Sequence, residues 1–184
     1  MMIATGISVI LWLGFYLWYF LAFNHLVALR NTVAQTWAHV DVELQRRYDL
    51  IGNLVNVVRA YARHEGDTLL ETARARSGSG GINVHDANLA TAQDSALLGK
   101  LLVLVERYPD LKADSQFQTL QQALIETENR IATRRNAYNE CVNRYETGRN
   151  QFPAMVIAWA GHFGAAEFFD AQDETAHAVQ VMLS

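Results

Sequence analysis

The stretch DVELQRRYDLIGNLVNVV, Asp41 to Val58, decides the fold. Apolar residues run through it and past both ends at Val33, Trp37, Val40, Leu44, Ile51, Leu54, Val58 and Tyr61, in steps of three and four. That spacing predicts a packed amphipathic helix. The member missing from the series is Arg47. Charge inside a packed stripe is tolerated only when it is paired and hydrogen-bonded, because desolvating a lone guanidinium is expensive. Neither proline nor glycine occurs from Phe15 to Ile51. Nothing there interrupts a helix that begins in the N-terminal apolar segment and continues to about Arg76, a rod of roughly 90–110 Å.

The N-terminal segment itself, MMIATGISVILWLGFYLWYFLAF, carries no charged side chain over residues 1–23. That is a bilayer's thickness of apolar helix. A cleaved signal peptide would show a basic start, a shorter apolar core and a small-x-small cleavage site, and the segment shows none of these. An uncleaved single-pass anchor is expected, contacting membrane lipid, with Trp12, Tyr16, Trp18 and Tyr19 at the headgroup boundary that suits indole and phenol rings. Arg30, Arg46 and Arg47 follow the span, so the positive-inside bias places the C-terminal part in the cytoplasm.

Downstream the chain reads as further helices with punctuation between them. Ser77 to Gly81, SGSGG, has linker composition. A second helix fits Asp86 to Arg107, with Asp86 as N-cap and the almost wholly apolar centre ALLGKLLVLVE, which must be covered on most sides. Eleven residues are too few to span a membrane, so burial in a bundle is expected. Pro109 stops that pattern, and Ser115-x-x-Gln118 offers a capping box for a third helix through Tyr145. Its solvent side carries Glu126–Arg130 and Glu140–Arg144, acid-to-base pairs four apart. Pro153 opens a short fourth helix, AMVIAWAGHF, followed by an irregular tail; Trp159, Phe163, Phe168 and Phe169 are expected to pack on the bundle, with the membrane surface or a neighbouring protein as the alternatives.

The fold class predicted is all-α: an N-terminal transmembrane helix continuing into the long helix of an antiparallel bundle, with three long helices and a short fourth. Residues 1–23 form the anchor, 24–45 a membrane-proximal stalk and 46–184 the bundle. If the second helix returns along the first, it covers the first only back to about residue 50. Leu26, Val33, Trp37, Val40 and Leu44 would then face outward as an open seam and recruit further copies of the chain. The same register sets Arg47 opposite the second connection, where Arg47 or its neighbour Arg46 would pair with Glu106 or Asp110, the alternative being that the helix turns both arginines toward solvent or lipid headgroups. Glu126 or Glu128 is the partner if the third helix slides by a turn.

Catalytic patterns are absent. His64 and Glu65 lack the second histidine of a zinc-protease helix, and Glu174-x-x-His177 is a single half of a di-iron motif that needs two. Cys141, the only cysteine, sits near the apolar face of a strong helix, the ordinary setting of an inert thiol. A charged fraction of 18% and a net charge of −4 give no basic footprint for nucleic acid. The arginines, thirteen against Lys100 and Lys112, favour planar paired roles. No cofactor, no metal and no enzymatic activity are expected.

Four segments in order, RRYDLIGNLV, YPDLKA, TENRIA and RRNAYN, resemble the LemA family, and the resemblance spans nearly the whole chain. It implies a membrane-anchored helical bundle of bacteria with no agreed catalytic activity. Family-pattern residues here include Arg46, Arg47, Asp49, Glu128 and Arg135, implying a polar network between helices or a partner-binding face. Two departures stand out: Gly52 replaces a usual proline, and Glu146 follows Tyr145 where asparagine is common. The functional expectation is a scaffold that self-associates through its stalk and organises or shapes membrane, with other membrane proteins as further partners. The competing expectation is a sensor or adaptor bundle, which a buried polar pocket around Arg47 and Glu128 would favour.

Overall fold

The computed structural model describes residues 2–61 and 83–169. Five helices make up the described chain: α1 (Met2–Tyr61), α2 (Val84–Val105), α3 (Pro109–Ala113), α4 (Ser115–Asn150) and α5 (Ala154–Ala160). No strand occurs among the described residues, and the all-α class holds. The extension of α1 to Arg76, the turn at Ser77 to Gly81, the His64–Glu65 pair and the Glu174–His177 half-motif lie outside the described residues. Two compact units divide the chain, one made of Met1–Trp37 with Ala137–Phe168, the other of Ala38–Asn136 with Phe169–Ser184.

In the second unit the apolar stripe of the opening stretch finds its cover. Ile51, Leu54, Val55 and Val58 of α1 share a core with Leu101, Leu104 and Val105 of α2, Leu111 of α3, and Phe117 and Leu124 of α4. Register follows from the contacts. Arg47 meets Ser95, and the later residues of both helices, Ile51–Val58 and Leu101–Val105, meet further on. α1 and α2 therefore run parallel, and only α4 runs antiparallel to them. The expectation that the second helix returns along the first is corrected. Periodicity specifies which face is buried and not which way the helix points.

Two caps also differ from expectation. α2 starts after Asn83, whose carbonyl accepts from Ala87 N–H at 2.9 Å, while Asp86 sits in the first turn where its charge suits the helix dipole. α4 is capped by Asp114 and not by a Ser115 box: its Oδ1 accepts from the N–H groups of Gln116 at 2.8 Å and Phe117 at 3.0 Å. Both expected ion pairs on the outer side of α4 form, Glu126–Arg130 at 3.7 Å and Glu140–Arg144.

In the first unit α4 and α5 cover the lower part of α1. Leu26, Tyr145, Ile157, Ala158 and Phe163 are buried together, with Ala22, Phe23, Val27, Leu29 and Val33 packed against them. Gly148 permits the close approach, since a Cβ there would lie 2.9 Å from Leu29 Cδ1. Trp37 lies 5.2 Å from the ring of Tyr138. The expected open seam is thereby corrected: Leu26 and Val40 are 1% and 0% exposed, and Val33, Trp37 and Leu44 are half-buried. α4 is 36 residues long, about 54 Å at 1.5 Å per residue, so its C-terminal half extends well past the limit at residue 50.

Candidate functional site

In the second unit a polar layer interrupts the apolar core at Arg47, which is 2% exposed. Its Nε lies 2.7 Å from Glu128 Oε1 of α4. Its Nη2 donates to Ser95 Oγ at 2.9 Å, and that hydroxyl donates to the carbonyl of Thr91 at 3.0 Å. One side chain of α1 is thus tied to both α2 and α4. Asn88, Thr91 and Ser95 share one face of α2 by their spacing of three and four, and Glu43 stands one turn before Arg47 on α1. Around the ion pair, Glu43 Oε2, Asn88 Oδ1, Thr91 Oγ1 and Arg47 Nη1 are buried without a hydrogen-bond partner among the described residues. Buried polar atoms are ordinarily satisfied, so this concentration marks a place suited to water or a small polar ligand.

The first unit holds a second polar arrangement, in which α4 clasps the chain after α5. Tyr138 donates to the carbonyl of Glu167 and Tyr145 to that of Gly164, each at 2.7 Å. Glu146 Oε1 accepts from Ala166 N–H at 2.7 Å, while its Oε2 accepts from Arg149 Nη2 at 2.7 Å and Asn150 Nδ2 at 3.3 Å. Burial pushes the Glu146 carboxyl up, but the Ala166 N–H, the Arg149 guanidinium and the Asn150 amide outweigh it and hold it below the ordinary glutamate range. Burial, aided by the Glu167 charge, pushes the Tyr138 phenol up to about 12.

The residues expected to form one polar network are only partly brought together. Arg47 pairs with Glu128, the partner expected if α4 slid. Glu106 and Asp110 are exposed and do not meet it, because the parallel course of α2 carries the α2–α3 connection beyond Val58. Arg46 and Asp49 are exposed, the latter accepting from Gln45 Nε2 at 3.2 Å, and Arg135 is half-buried. Sequence reasoning missed Ser95 and Thr91, whose place depends on the direction of α2, and the Glu146 clasp, whose partner is a backbone N–H. The spacing of Tyr138 and Tyr145, seven apart and followed by Glu146 and Arg149, was the available signal. The tail aromatics divide: Phe163 and Phe169 are buried, whereas Trp159 and Phe168 are 83% and 48% exposed. Among the described residues no cluster of His, Cys, Asp or Glu could hold a metal ion.

Along α1 the window of mean hydropathy 1.8 is wholly uncovered by the rest of the protein, and this is the one described helix long and apolar enough to cross a membrane. Trp12 and Tyr16 are 71% and 69% exposed, while Trp18 and Tyr19 are 36% and 38% exposed. These features define a membrane-associated helical bundle. Comparison with known families gives the same class a name: the LemA family matches residues 36–183, and the chain belongs to it. It is similar to magnetosome protein MamQ 2 and magnetosome protein MamQ 1 of Paramagnetospirillum magneticum, each 26% identical over 92% of this chain and 71% of the relative. Magnetosome protein MamQ of Magnetospirillum gryphiswaldense is 25% identical over 89% of this chain and 70% of its own length.

Proposed function

We propose that this LemA-family chain is a single-pass scaffold of the bacterial inner membrane, without enzymatic activity, that self-associates through α2 and organises the membrane around it. The observation that carries the reading is the outer face of α2. Leu89, Ala92, Ala96, Gly99 and Val103 recur at three and four, the spacing of a helix–helix seam, and all five are exposed. Leu89 is 53% and Val103 61% exposed, and a Cβ on Gly99 would meet nothing within 4 Å. An exposed apolar stripe along a helix whose other apolar face is already buried has a second partner surface to offer. Small residues at its centre allow a partner helix to approach closely. The seam proposed on the stalk is thus relocated, with a second copy as first partner and other membrane proteins as further ones. Relatives named as magnetosome proteins support a membrane-associated role. Arg30, Arg46 and Arg47, following the span, support a cytoplasmic bundle.

Cysteine at Val103 in a Cys141→Ser background tests it. Oxidative cross-linking in native membranes is expected to trap dimers or higher species, and Gly99→Trp, which the monomer has room for, is expected to abolish them. Monomer alone from the Val103→Cys protein sinks the reading. A sensor or adaptor role is the second reading, favoured by the unpartnered polar atoms around Arg47. A small ligand that raises the melting temperature of wild type, and does not do so for Arg47→Met, would establish it.

A further inference from the structure

The residues from Gln151 to Ala166, QFPAMVIAWAGHFGAA, contain no Asp, Glu, Lys or Arg. Within them α5 buries one face, Ile157 and Ala158, in the core of the first unit. Its other face is also apolar and open: Phe152 is 77%, Met155 50%, Val156 56% and Trp159 83% exposed. At 100° per residue Met155, Val156 and Trp159 fall within an arc of about 100°, a single stripe opposite the buried one, and Phe152 is exposed in the turn just before the helix. An exposed contiguous stripe of Phe, Met, Val and Trp is unusual for a surface that meets only water.

The place of the stripe identifies what covers it. α5 packs where Ala22, Phe23 and Leu26 of α1 enter the same core, and Phe163, just after α5, sets its ring edge-on to Phe23 at 5.4 Å. α1 carries no Asp, Glu, Lys or Arg from Thr5 to Leu29, and Arg30 is the first. About 20 residues cross the hydrocarbon layer, so a span that begins near Thr5 ends near Phe23 to Leu26. α5 is therefore fastened at the level where α1 leaves the bilayer, with the exposed Arg30 one turn above Leu26 at headgroup height. Lipid is the one partner that the anchor itself guarantees at this level. A tryptophan at the open end of the stripe suits the interface, where its ring is apolar and its N–H is wet.

We propose that α5 is an interfacial helix, lying in the membrane surface beside the root of α1 with Phe152, Met155, Val156 and Trp159 set into the headgroup–acyl boundary. The first unit then touches the bilayer at two points, the span and α5, and the tilt of that unit relative to the membrane is fixed by the protein itself. The inference rests on the membrane-anchored reading of α1 and is independent of the α2 seam.

The test uses the full chain with Cys141→Ser, reconstituted into phosphatidylcholine–phosphatidylglycerol vesicles, and nitroxide labels at Met155→Cys, Trp159→Cys, Leu13→Cys and Gln35→Cys. All four positions are exposed in the chain, so labels there leave the core intact, and circular dichroism confirms unchanged helix content. Collisions with oxygen, which concentrates in lipid, are compared with collisions with a water-soluble nickel chelate. The oxygen-to-nickel ratio at 155 and 159 is expected severalfold above that at 35 and below that at 13. A ratio at 155 and 159 equal to that at 35 overturns the proposal, because α5 then faces water. Low collision with both reagents overturns it equally, because protein then covers the stripe. A low ratio at 13 removes the anchor reading on which the proposal stands, and so separates that failure from failure of α5 alone.

Discussion

Removing the carboxylate of Glu128 and removing the guanidinium of Arg47 are different operations on one ion pair. Arg47 is 3% exposed at its side chain and Glu128 32%. Glu128→Ala therefore strands a charge that water cannot reach, whereas Arg47→Met leaves a carboxylate at the edge of solvent and fills the core with hydrocarbon. The first is expected to cost about 3 kcal/mol and the second about 1 kcal/mol or less. Thermal unfolding of both variants in detergent, followed by circular dichroism, checks the order; equal losses would mean that Arg47 has another source of compensation. A pH dependence belongs to the other arrangement. The carboxyl of Glu146 lies below its ordinary value of 4.5 when folded. Its contribution is thus full above that value and is lost as the pH falls through the folded one. Wild type is expected to lose melting temperature more steeply than Glu146→Gln below pH 4.5, and parallel curves would remove Glu146 from the account. At this scale the sequence announced that Arg47 must be paired, because the stripe it interrupts is visible. It did not announce the Glu146 clasp, since a backbone N–H leaves no mark in a pattern of side chains.

The short helix α5 ends in a turn that sequence periodicity does not reach. Phe163 N–H donates to Ala158 O at 3.0 Å and His162 N–H to Trp159 O at 3.3 Å, which is a Schellman closure. The left-handed position in such a closure usually holds glycine, yet here it is His162, with φ of 54°. The neighbouring Gly161 is fixed for a different reason, because a Cβ there would lie 2.6 Å from the Phe163 ring. His162→Gly is expected to stabilise the first unit by about 1 kcal/mol, the cost of holding an L side chain in that region, and Gly161→Ala to destabilise it. Melting temperatures moving in the same direction for both would contradict this assignment of the turn. For the long helices, existence and buried face were legible because three-and-four spacing persists over many turns. The direction of α2 was not, since a stripe reads the same from either end, and the register, the Arg47 partner and the open seam all depended on it.

For the whole molecule, under the single-pass reading proposed above, attachment to the membrane and folding share one helix but separate along it. α1 supplies the uncovered apolar span, yet its contribution to a core begins at Ala22. A chain lacking residues 2–19 keeps every α1 side chain that belongs to a described core. It is expected to fold with cooperative melting close to that of the full protein, while becoming extractable from membranes by alkaline carbonate, which leaves spanning helices in place. The stripe on α5 is expected to keep the shortened chain weakly and reversibly bound to vesicles, because a few interfacial side chains hold far less strongly than a span. Adding Trp159→Glu to it should abolish that residual sedimentation without changing the melt. Loss of cooperative folding on truncation would mean that the bilayer-embedded turns of α1 are part of the fold itself. Retention in the carbonate pellet would mean instead that the membrane is held by something other than the span.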